Sequence, residues 1–381
     1  MEYVKLGDVY KISKGKKVEQ IDELTDKSVR YIQIDDLRND NNIKHCENNP
    51  QYVFAKKEDI IIAWDGANAG TISYGLEGAI GSTLATLKST NNEFLSRYVG
   101  KFLQSKFSYL RATCTGATIP HISREALVGI EIPKVPLETQ QKIADTLDIA
   151  QQLINNRKQQ ITELDNLTQS IFYDMFGDPI VNKKSFQKIK MLEVCRKITD
   201  GTHHSPPNVV EGVPYVSAKH LGSGKLDFYS KPVFVSVESH KEIYSRCNPE
   251  KGDVLYIKDG ATTGIAGLNH YEFEFSMLSS LALLKLKKEV INAYFMVAIL
   301  NYPSVKFNIT SEMAGGAIKR LTLVKIKNIE LILPPLELQN KFADIAQKIE
   351  EQKAALEQSL AELENNFKSI MQQSFANVSL K

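Results

Sequence analysis

The chain has 381 residues, more than one ordinary hydrophobic core accommodates, so two or more domains are expected. Hydrophobic residues make up 43% and charged residues 24%, as in ordinary globular proteins, and no apolar run reaches the roughly 18 residues of a membrane span. Lysine and arginine total 47 against 45 acidic residues, and this net charge of +2 is small for a protein that binds DNA alone. Either the basic residues are clustered, or partners supply positive charge, or the charge says nothing about nucleic acid.

The cysteines and the first residues indicate the expected compartment. Cys46, Cys114, Cys195 and Cys247 are isolated from one another, so neither a zinc site nor a disulfide framework is indicated. Residues 1–6 contain no apolar signal core, so export is not expected. We therefore expect reduced thiols and a cytoplasmic location.

The two halves of the chain repeat the same short segments in the same order. The matched pairs are 6–15 with 192–201, 31–37 with 215–221, 58–67 with 251–261, 81–85 with 278–282, and 136–140 with 335–339. The offset drifts from 186 (192 minus 6) to 199 (335 minus 136), as loop insertions between related modules would produce. Five ordered matches are hard to ascribe to chance, and a period near 190 is too long for a solenoid. The sequence therefore predicts a duplicated domain.

Each half begins with a globular module of short strands and one helical stretch. Residues 60–64 and 254–257 are the clearest strands, because they are apolar runs bounded by Gly and Asp. Apolar residues at helical spacing predict a helix within 94–103 and another within 293–300. The modules are therefore predicted to be α+β with a strong strand content.

Two pairs of polar loops recur in the modules and are candidates for recognition. Residues 64–71 match 258–264, and residues 115–121 match 315–320. Small residues let a backbone approach a ligand closely, and Asn, Asp, Lys and Thr side chains can read base edges. An ordinary hairpin turn would explain any single loop. Recurrence of both loop types, while the intervening sequence diverges, favours DNA recognition, and a nearby cluster of three lysines at 14–17 suits phosphates.

The sequence shows no catalytic motif. His203 and His204 are adjacent and lack a third ligand at useful spacing, so no metal site is predicted. The chain has no P-loop, since 222–225 lacks the required spacing, and it has no G-x-S-x-G elbow or H-E-x-x-H helix. The N-P-P-Y type of stretch that amino-methyltransferases use is also absent. The duplication argues against one asymmetric active site, so a non-catalytic recognition protein without a cofactor of its own is expected.

Each module is followed by a long amphipathic helix of about 37 residues, which would span roughly 55 Å. Prolines at 133, 136, 334 and 335 mark the starts of the two helices, and Gly-Asp-Pro at 177–179 ends the first helix. The chain path predicts that the helices pair antiparallel, with one module at each end and a pseudo-twofold axis between them; the alternative is that each helix packs only on its own module. The predicted coiled-coil seam, with heptad spacing, is Ile143, Leu147, Ala150, Ile154, Arg157, Ile161, Leu164, Thr168, Ile171 and Met175, repeated 199 residues later at Phe342, Ala346, Ile349, Lys353, Leu356, Leu360, Leu363, Phe367, Ile370 and Ser374.

Three features together resemble a known family. They are the run 199–204 followed by Gly-Val-Pro-Tyr at 212–215, the Pro-Leu-x-x-Gln helix starts at 136 and 335, and Phe-Tyr-Asp-Met-Phe-Gly-Asp-Pro at 172–179. Over essentially its whole length the chain resembles the specificity (S) subunits of type I restriction-modification systems. Residues 13–17 depart from the Asp-Gly-Thr-His-His run of the second half, and this departure bears on the DNA target rather than on the family.

The resemblance implies a domain plan and a set of partners. The plan is a target-recognition domain over 1–136, a spacer helix over 137–177, a second target-recognition domain over 178–334 and a second spacer helix over 335–381. The implied partners are double-stranded DNA with a bipartite site, two methyltransferase (M) subunits that use S-adenosylmethionine, and restriction/translocase (R) subunits that use ATP. These cofactors belong to the partners, so none is expected on this chain.

The expected function is therefore DNA sequence recognition by a non-catalytic subunit. The alternatives are a coiled-coil scaffold that binds only proteins and a nuclease with an unrecognised site. The candidate DNA-binding residues are Lys14, Lys16, Lys17, Trp64, Asp65, Asn68, Thr71, Thr118, His121, Thr202, His203, His204, Lys219, Lys258, Asp259, Thr262, Thr263, Lys319 and Arg320.

Overall fold

The computed structural model describes residues 2–116, 118–222, 224–311 and 320–376. The chain divides into two compact units, of which the first comprises 1–158 with 358–381 and the second comprises 159–357. Each unit thus joins one globular module, called module 1 or module 2, to a segment of each long helix.

Module 1 contains two four-stranded sheets and a pair of strands that closes the module. The first sheet has the order β2 (Tyr10–Lys14), β9 (Leu84–Ser89), β6 (Ile60–Ala63), β7 (Ile72–Tyr74), and the second has the order β4 (Lys44–Glu47), β3 (Ser28–Ile32), β8 (Gly78–Ile80), β5 (Phe54–Ala55). The closing pair is β1 (Tyr3–Lys5) antiparallel to β10 (Glu131–Pro133). The helices are α1 (Leu6–Val9), α2 (Ser96–Ser105), α3 (Phe107–Ala112) and α4 (Arg124–Val128).

Module 2 repeats this plan with a second sheet of three strands instead of four. Its sheets have the orders β12 (Cys195–Asp200), β18 (Leu281–Leu286), β15 (Val254–Ile257), β16 (Ala266–Leu268) and β14 (Phe234–Val235), β13 (Val213–Val216), β17 (Ser276–Met277). The closing pair is β11 (Gln187–Lys190) antiparallel to β19 (Glu330–Leu333). The helices are α6 (Met191–Val194), α7 (Val237–Arg246), α8 (Ala293–Asn301), α9 (Pro303–Ser311) and α10 (Leu323–Lys327).

The helix α7 accounts for much of the drift between the halves. It has ten residues and lies between β14 and β15, where module 1 connects β5 to β6 through residues 56–59 alone. The strands and helices predicted from the sequence are present as β6, β15, α2 and α8. The internal repeat and the α+β class are therefore confirmed.

The strands β6 and β15 are each buried on both faces, which explains their unbroken apolar sequences. Ile60 and Ile62 of β6 belong to one hydrophobic cluster, whereas Ile61 belongs to a second. In β15, Val254 and Leu255 divide between two clusters in the same way. Because side chains alternate along a strand, a strand between two cores needs apolar residues at every position.

The long helices are α5 (Leu137–Phe176) and α11 (Leu336–Ala376), and Gly177 ends α5 with a φ of +74°. All positions of the predicted seam are buried or half-buried. In unit 1, the ammonium of Lys101 on α2 lies 3.1 Å from Asp148 and 5.7 Å from the centre of the Phe367 ring, and an ion pair joins Lys158 to Glu364 at 2.8 Å. Since 148 lies near 367 while 158 lies near 364, the two segments run antiparallel.

The same direction holds in unit 2. The rings of Phe172 and Phe176 lie 5.5 and 5.6 Å from the ring of Phe342, and Lys353 forms an ion pair with Asp165. Burial lowers the pKa of Lys353, but Asp165 and nearby glutamates outweigh it, so the net pKa is raised. The polar residue Lys353 in the otherwise apolar seam is thus accounted for by its ion pair with the other helix. Across the described ranges, no helix is both long and apolar enough to cross a membrane.

Candidate nucleic-acid interface

The loop after the central strand has the same backbone frame in both modules. In module 1 the amide of Ala63 donates to Thr71 O at 2.8 Å and that of Gly70 donates to Ala63 O at 2.9 Å. In module 2 the corresponding bonds are Ile257 N to Ile265 O at 2.8 Å and Gly264 N to Ile257 O at 2.9 Å. Gly70 and Gly264 both have a φ of +92°, a conformation that favours glycine. Each loop, 64–70 in module 1 and 258–264 in module 2, therefore joins two antiparallel strands in the same backbone pattern, and we call it the recognition loop after the role predicted for it from the sequence.

A second segment pairs with each recognition loop. In module 1, Ile122 N donates to Trp64 O at 2.9 Å and Gly66 N donates to Pro120 O at 2.9 Å. In module 2, Leu321 N donates to Lys258 O at 2.7 Å. The two predicted loop types thus meet in each module, although the candidate Lys319 lies outside the described residues.

In module 1 one carboxylate joins three chain segments. Asp65 accepts the ammonium of Lys14, from the end of β2, at 2.8 Å and contacts Nδ1 of His121 at 2.6 Å. Burial raises the pKa of Asp65, but hydrogen bonds from Lys14 and His121 outweigh it, so the net pKa is lowered. Lys14 and His121 remain about half exposed, at 48% and 46% of their side chains. The site is therefore charged and open to solvent.

Module 2 joins the same three segments with a different set of charges. Asp259 contacts Arg320 Nε at 3.2 Å, and Lys258 lies 3.1 Å from Asp259 and 3.4 Å from Asp200 at the end of β12. Asp200 also contacts His203 at 3.2 Å and Arg246 at 3.5 Å. Lys258 and Asp200 are almost fully buried, whereas the side chain of Arg320 is 58% exposed.

We call this meeting point the loop junction. Its equivalent positions are Lys14 and Asp200, Trp64 and Lys258, Asp65 and Asp259, and His121 and Arg320. Among these four pairs only the aspartate is the same in both modules. The junction therefore keeps one backbone frame and one carboxylate while the other side chains change in charge and shape.

The remaining predicted residues differ in exposure. Lys16, Lys17, Thr118, His204, Lys219 and Thr262 are exposed, and Trp64, Asn68, Thr71, Thr202 and His203 are partly or substantially exposed. Thr202 Oγ1 donates to His204 O at 2.9 Å and so orders the histidine turn. Lys258 and Thr263 are 2% and 4% exposed, and Thr263 Oγ1 donates to Gly260 O at 2.7 Å. Both side chains are therefore closed off from solvent in this conformation.

Three charged residues at these sites were missed by the sequence reasoning. Arg38 donates to Asn68 Oδ1 in the recognition loop of module 1, and Asp200 and Arg246 complete the junction of module 2. Asp200 lay within a matched segment and aligned with Lys14, which could have identified it. Arg246 lies on α7, which has no counterpart in module 1, so the repeat carried no signal for it.

Comparison with known proteins agrees with this architecture. A family model described as "Type I restriction modification DNA specificity domain" matches residues 1–165 and again 183–365. The MjaVIII type I restriction enzyme specificity subunit of Methanocaldococcus jannaschii is 26% identical over 367 residues, covering 92% of this chain and 86% of that protein.

Two solved structures share the fold. The S subunit of a type I restriction-modification system from M. genitalium superposes with a TM-score of 0.63 at 16% identity, covering 98% of this chain and 96% of that one. A chain from a study of complex assembly and conformational transition of the type I R-M system gives a TM-score of 0.54 at 18% identity, covering 98% and 97%. Two copies of the family domain, two repeated modules and two long helices therefore place this chain in the family of type I restriction-modification specificity subunits.

Proposed function

We propose that this chain is the non-catalytic DNA-recognition subunit of a type I restriction-modification complex. Residues 1–136 and 178–334 act as target-recognition domains, each reading one half of a bipartite site. Residues 137–177 and 335–381 act as spacer helices that set the spacing of the half-sites and dock two methyltransferase subunits. Restriction/translocase subunits complete the complex, and S-adenosylmethionine and ATP are used by the partners.

The loop junction is the observation that carries this proposal. A constant backbone frame holds a lysine, tryptophan and histidine in module 1, where module 2 has aspartate, lysine and arginine. A structural element would keep its side chains, and a shared catalytic centre would keep its reactive groups. A pair of readers for two different half-sites would keep the frame and change the side chains, because base identity is read by donor and acceptor pattern.

The exposed candidates divide by chemistry. Lys16, Lys17 and Lys219 are exposed ammonium groups suited to phosphates, which position a protein on DNA without reading sequence. Trp64, Asn68, Thr71, Thr118, His121, Thr202, His203, His204, Thr262 and Arg320 supply groups that can reach base edges. Lys14, Asp65 and Asp259 set the charge around them, while Lys258 and Thr263 hold the recognition loop of module 2 in shape.

Methylation mapping tests the proposal. The chain is expressed with its methyltransferase subunits in a host lacking adenine methylation, and the methylated adenines are mapped. We expect a single bipartite motif. Exchange of residues 178–334 for the second module of another family member should change one half of that motif and leave the other half and the spacer unchanged.

The reciprocal exchange of residues 1–136 is the matched control and should change the opposite half only. If either exchange altered both halves or neither, independent reading by the modules would be wrong. If the complex assembled but showed no sequence preference, the chain would instead be a coiled-coil scaffold for proteins.

A further inference from the structure

Arg38, which the sequence reasoning missed, contacts the recognition loop of module 1 from a neighbouring turn. Its guanidinium donates to Oδ1 of Asn68, and the arginine is exposed to solvent. Within the described ranges Arg38 forms no ion pair, so this amide oxygen is the acceptor that holds its side chain. The contact therefore joins an exposed cation to a residue that was predicted to read bases.

Both ends of the contact start from fixed backbone. Leu37, immediately before Arg38, is 8% exposed and packs in a hydrophobic cluster with β6. The amide of Arg38 donates to Asp35 O at 3.0 Å and so closes one turn of 3-10 helix. On the loop side, Asn68 O accepts Thr71 N at 3.0 Å. The two side chains thus meet between two backbone segments that are each held in place.

The arginine determines which way the amide of Asn68 points. A guanidinium carries donors and no acceptor, so it is satisfied by the oxygen of the amide and not by its nitrogen. Nδ2 of Asn68 is therefore directed away from Arg38, and in the described part of the chain no group accepts a hydrogen bond from it. The pair thus offers donors from the amide and from the guanidinium, while its acceptor is already used.

Module 2 has neither member of this pair. In both modules the amide before the 3-10 turn donates to the side chain three residues later. The matched segments continue at an offset of 184 (215 minus 31), which places Gly222 at the position of Arg38. Asn68 and Thr262 each lie two residues before the glycine with a φ of +92°, so threonine replaces asparagine. Both positions differ, as is expected of a pair that serves one half-site only.

We propose that Arg38 and Asn68 together read one guanine in the half-site that module 1 recognises. The inference rests on the proposed DNA recognition. Guanine presents two acceptors in the major groove, N7 and O6, and therefore matches a pair that offers only donors. Adenine and cytosine each present an amino donor there, and thymine presents one acceptor beside a methyl group.

An asparagine without the arginine would select a different base. When its amide is free to turn, Oδ1 accepts from N6 of adenine while Nδ2 donates to N7 of the same base. Removal of Arg38 should therefore favour adenine at the position where the wild type favours guanine.

Methylation rates of the assembled complex with methyltransferase subunits test this proposal. The half-site of module 1 is identified by the exchange of residues 1–136, and each of its base pairs is then substituted in a duplex substrate. At one G·C pair, we expect Arg38→Ala to lower the ratio of kcat/KM for guanine over adenine about tenfold. Asn68→Ala should lower the ratio at the same pair. Arg38→Lys should keep most of it, because an ammonium is also a donor without an acceptor.

Lys57→Ala is the matched control. It removes an exposed cation from the same module, at the end of β6 opposite to the recognition loop. It should leave the ratio at every base pair unchanged. At the half-site of module 2, the variants of Arg38 and Asn68 should also match wild type.

Three results would overturn the proposal. The first is an unchanged guanine preference in both alanine variants, and the second is an effect confined to an A·T pair. The third is an equal loss of rate on all duplexes, which would show that the pair only supports the fold. A wild-type complex that methylates without any sequence preference would instead refute the proposed function.

Discussion

Lys258 lies inside module 2 with 2% of its surface exposed, and its ammonium is balanced by Asp200 and Asp259. The equivalent position in module 1 holds Trp64, and there the lysine at the junction is Lys14, which is about half exposed. A buried ion that loses a partner pays a desolvation cost, whereas an exposed ion recovers its hydration. The two junctions should therefore respond differently to removal of a carboxylate.

Asp200→Asn is expected to lower the free energy of unfolding of module 2 by about 3 kcal/mol, because the buried ammonium of Lys258 loses an anionic partner. The partly exposed guanidinium of Arg246 loses the same partner. The matched change Asp65→Asn in module 1 should cost under about 1 kcal/mol, since Lys14 and His121 are solvated. Segment-resolved hydrogen exchange measures both. Equal losses of unfolding free energy in the two modules would contradict the difference in burial between Lys258 and Lys14. The double variant Asp200→Asn/Lys258→Met should recover part of the stability that Asp200→Asn loses.

His220 gives module 2 a pH dependence. It is 2% exposed, its Nδ1 accepts the amide of Ser217 at 2.9 Å, and its Nε2 lies 2.9 Å from Lys231 O. Burial lowers its pKa, and the charge of Lys219 adds to this while backbone hydrogen bonds oppose it. The neutral ring with its proton on Nε2 satisfies both contacts, so protonation would break the bond to Ser217.

Module 2 should therefore lose stability as the pH falls below the unfolded-state pKa of about 6.5, because the unfolded chain then binds a proton that the folded ring resists. The contribution of His220 is fully present above that pH. Melting temperatures measured between about pH 7.5 and 5.5 should fall less in His220→Gln than in wild type. An identical fall in both proteins would assign the pH dependence to other groups.

At the scale of elements, one glutamine fixes the start of each long helix. Gln140 Oε1 accepts Leu95 N at 2.8 Å, and its Nε2 donates to the carbonyls of Glu93 and Val135, each at 2.8 Å. Gln339 does the same with Asn292 N at 2.9 Å, Pro334 O at 2.8 Å and Val290 O at 3.3 Å. Both glutamines are fully buried, so each Pro-Leu-x-x-Gln motif is a clamp between a helix and its module.

Gln339→Leu is expected to lower the free energy of unfolding by about 2–3 kcal/mol, because a buried amide and two carbonyls lose their partner. Gln347→Leu, on the exposed face of the same helix, should change it by about 0.5 kcal/mol or less. Chemical denaturation measures the difference, and hydrogen exchange at 290–295 locates it. If Gln339→Leu and Gln347→Leu lowered the free energy of unfolding equally, the buried hydrogen bonds of Gln339 would not contribute to stability.

The sequence predicted the elements better than their contacts. The repeat, β6, β15 and the helical seam were accessible because apolar periodicity is a local signal. The same motif marked both helix starts but did not show that Gln140 and Gln339 are buried clamps. Burial of Lys258 and Thr263 was also inaccessible, since their sequence context matches the exposed Thr262 and only the fold orients each side chain.

At the scale of the whole molecule, the net charge is small, and the junction cations among the described residues are paired with carboxylates. The chain carries a net charge of +2, and Lys14, Lys258 and Arg320 are each ion-paired to an aspartate. Binding to DNA releases counterions in proportion to the phosphates that a protein neutralises. The paired cations at the junctions release few, so the phosphate contacts of the isolated chain come mainly from exposed lysines such as Lys16, Lys17 and Lys219, and its electrostatic affinity for DNA should be modest.

The isolated chain should therefore show a shallow dependence of DNA affinity on salt, and the complex with methyltransferase subunits a steeper one. Each additional phosphate contact changes the slope of log K against log salt by about −0.9. Asp65→Asn, which frees Lys14, should steepen the slope of the isolated chain by roughly one such step. Fluorescence anisotropy on a non-specific duplex at several salt concentrations measures these slopes. A slope for the isolated chain as steep as that of the complex would mean that this chain supplies the phosphate contacts by itself, because its partners would then add none.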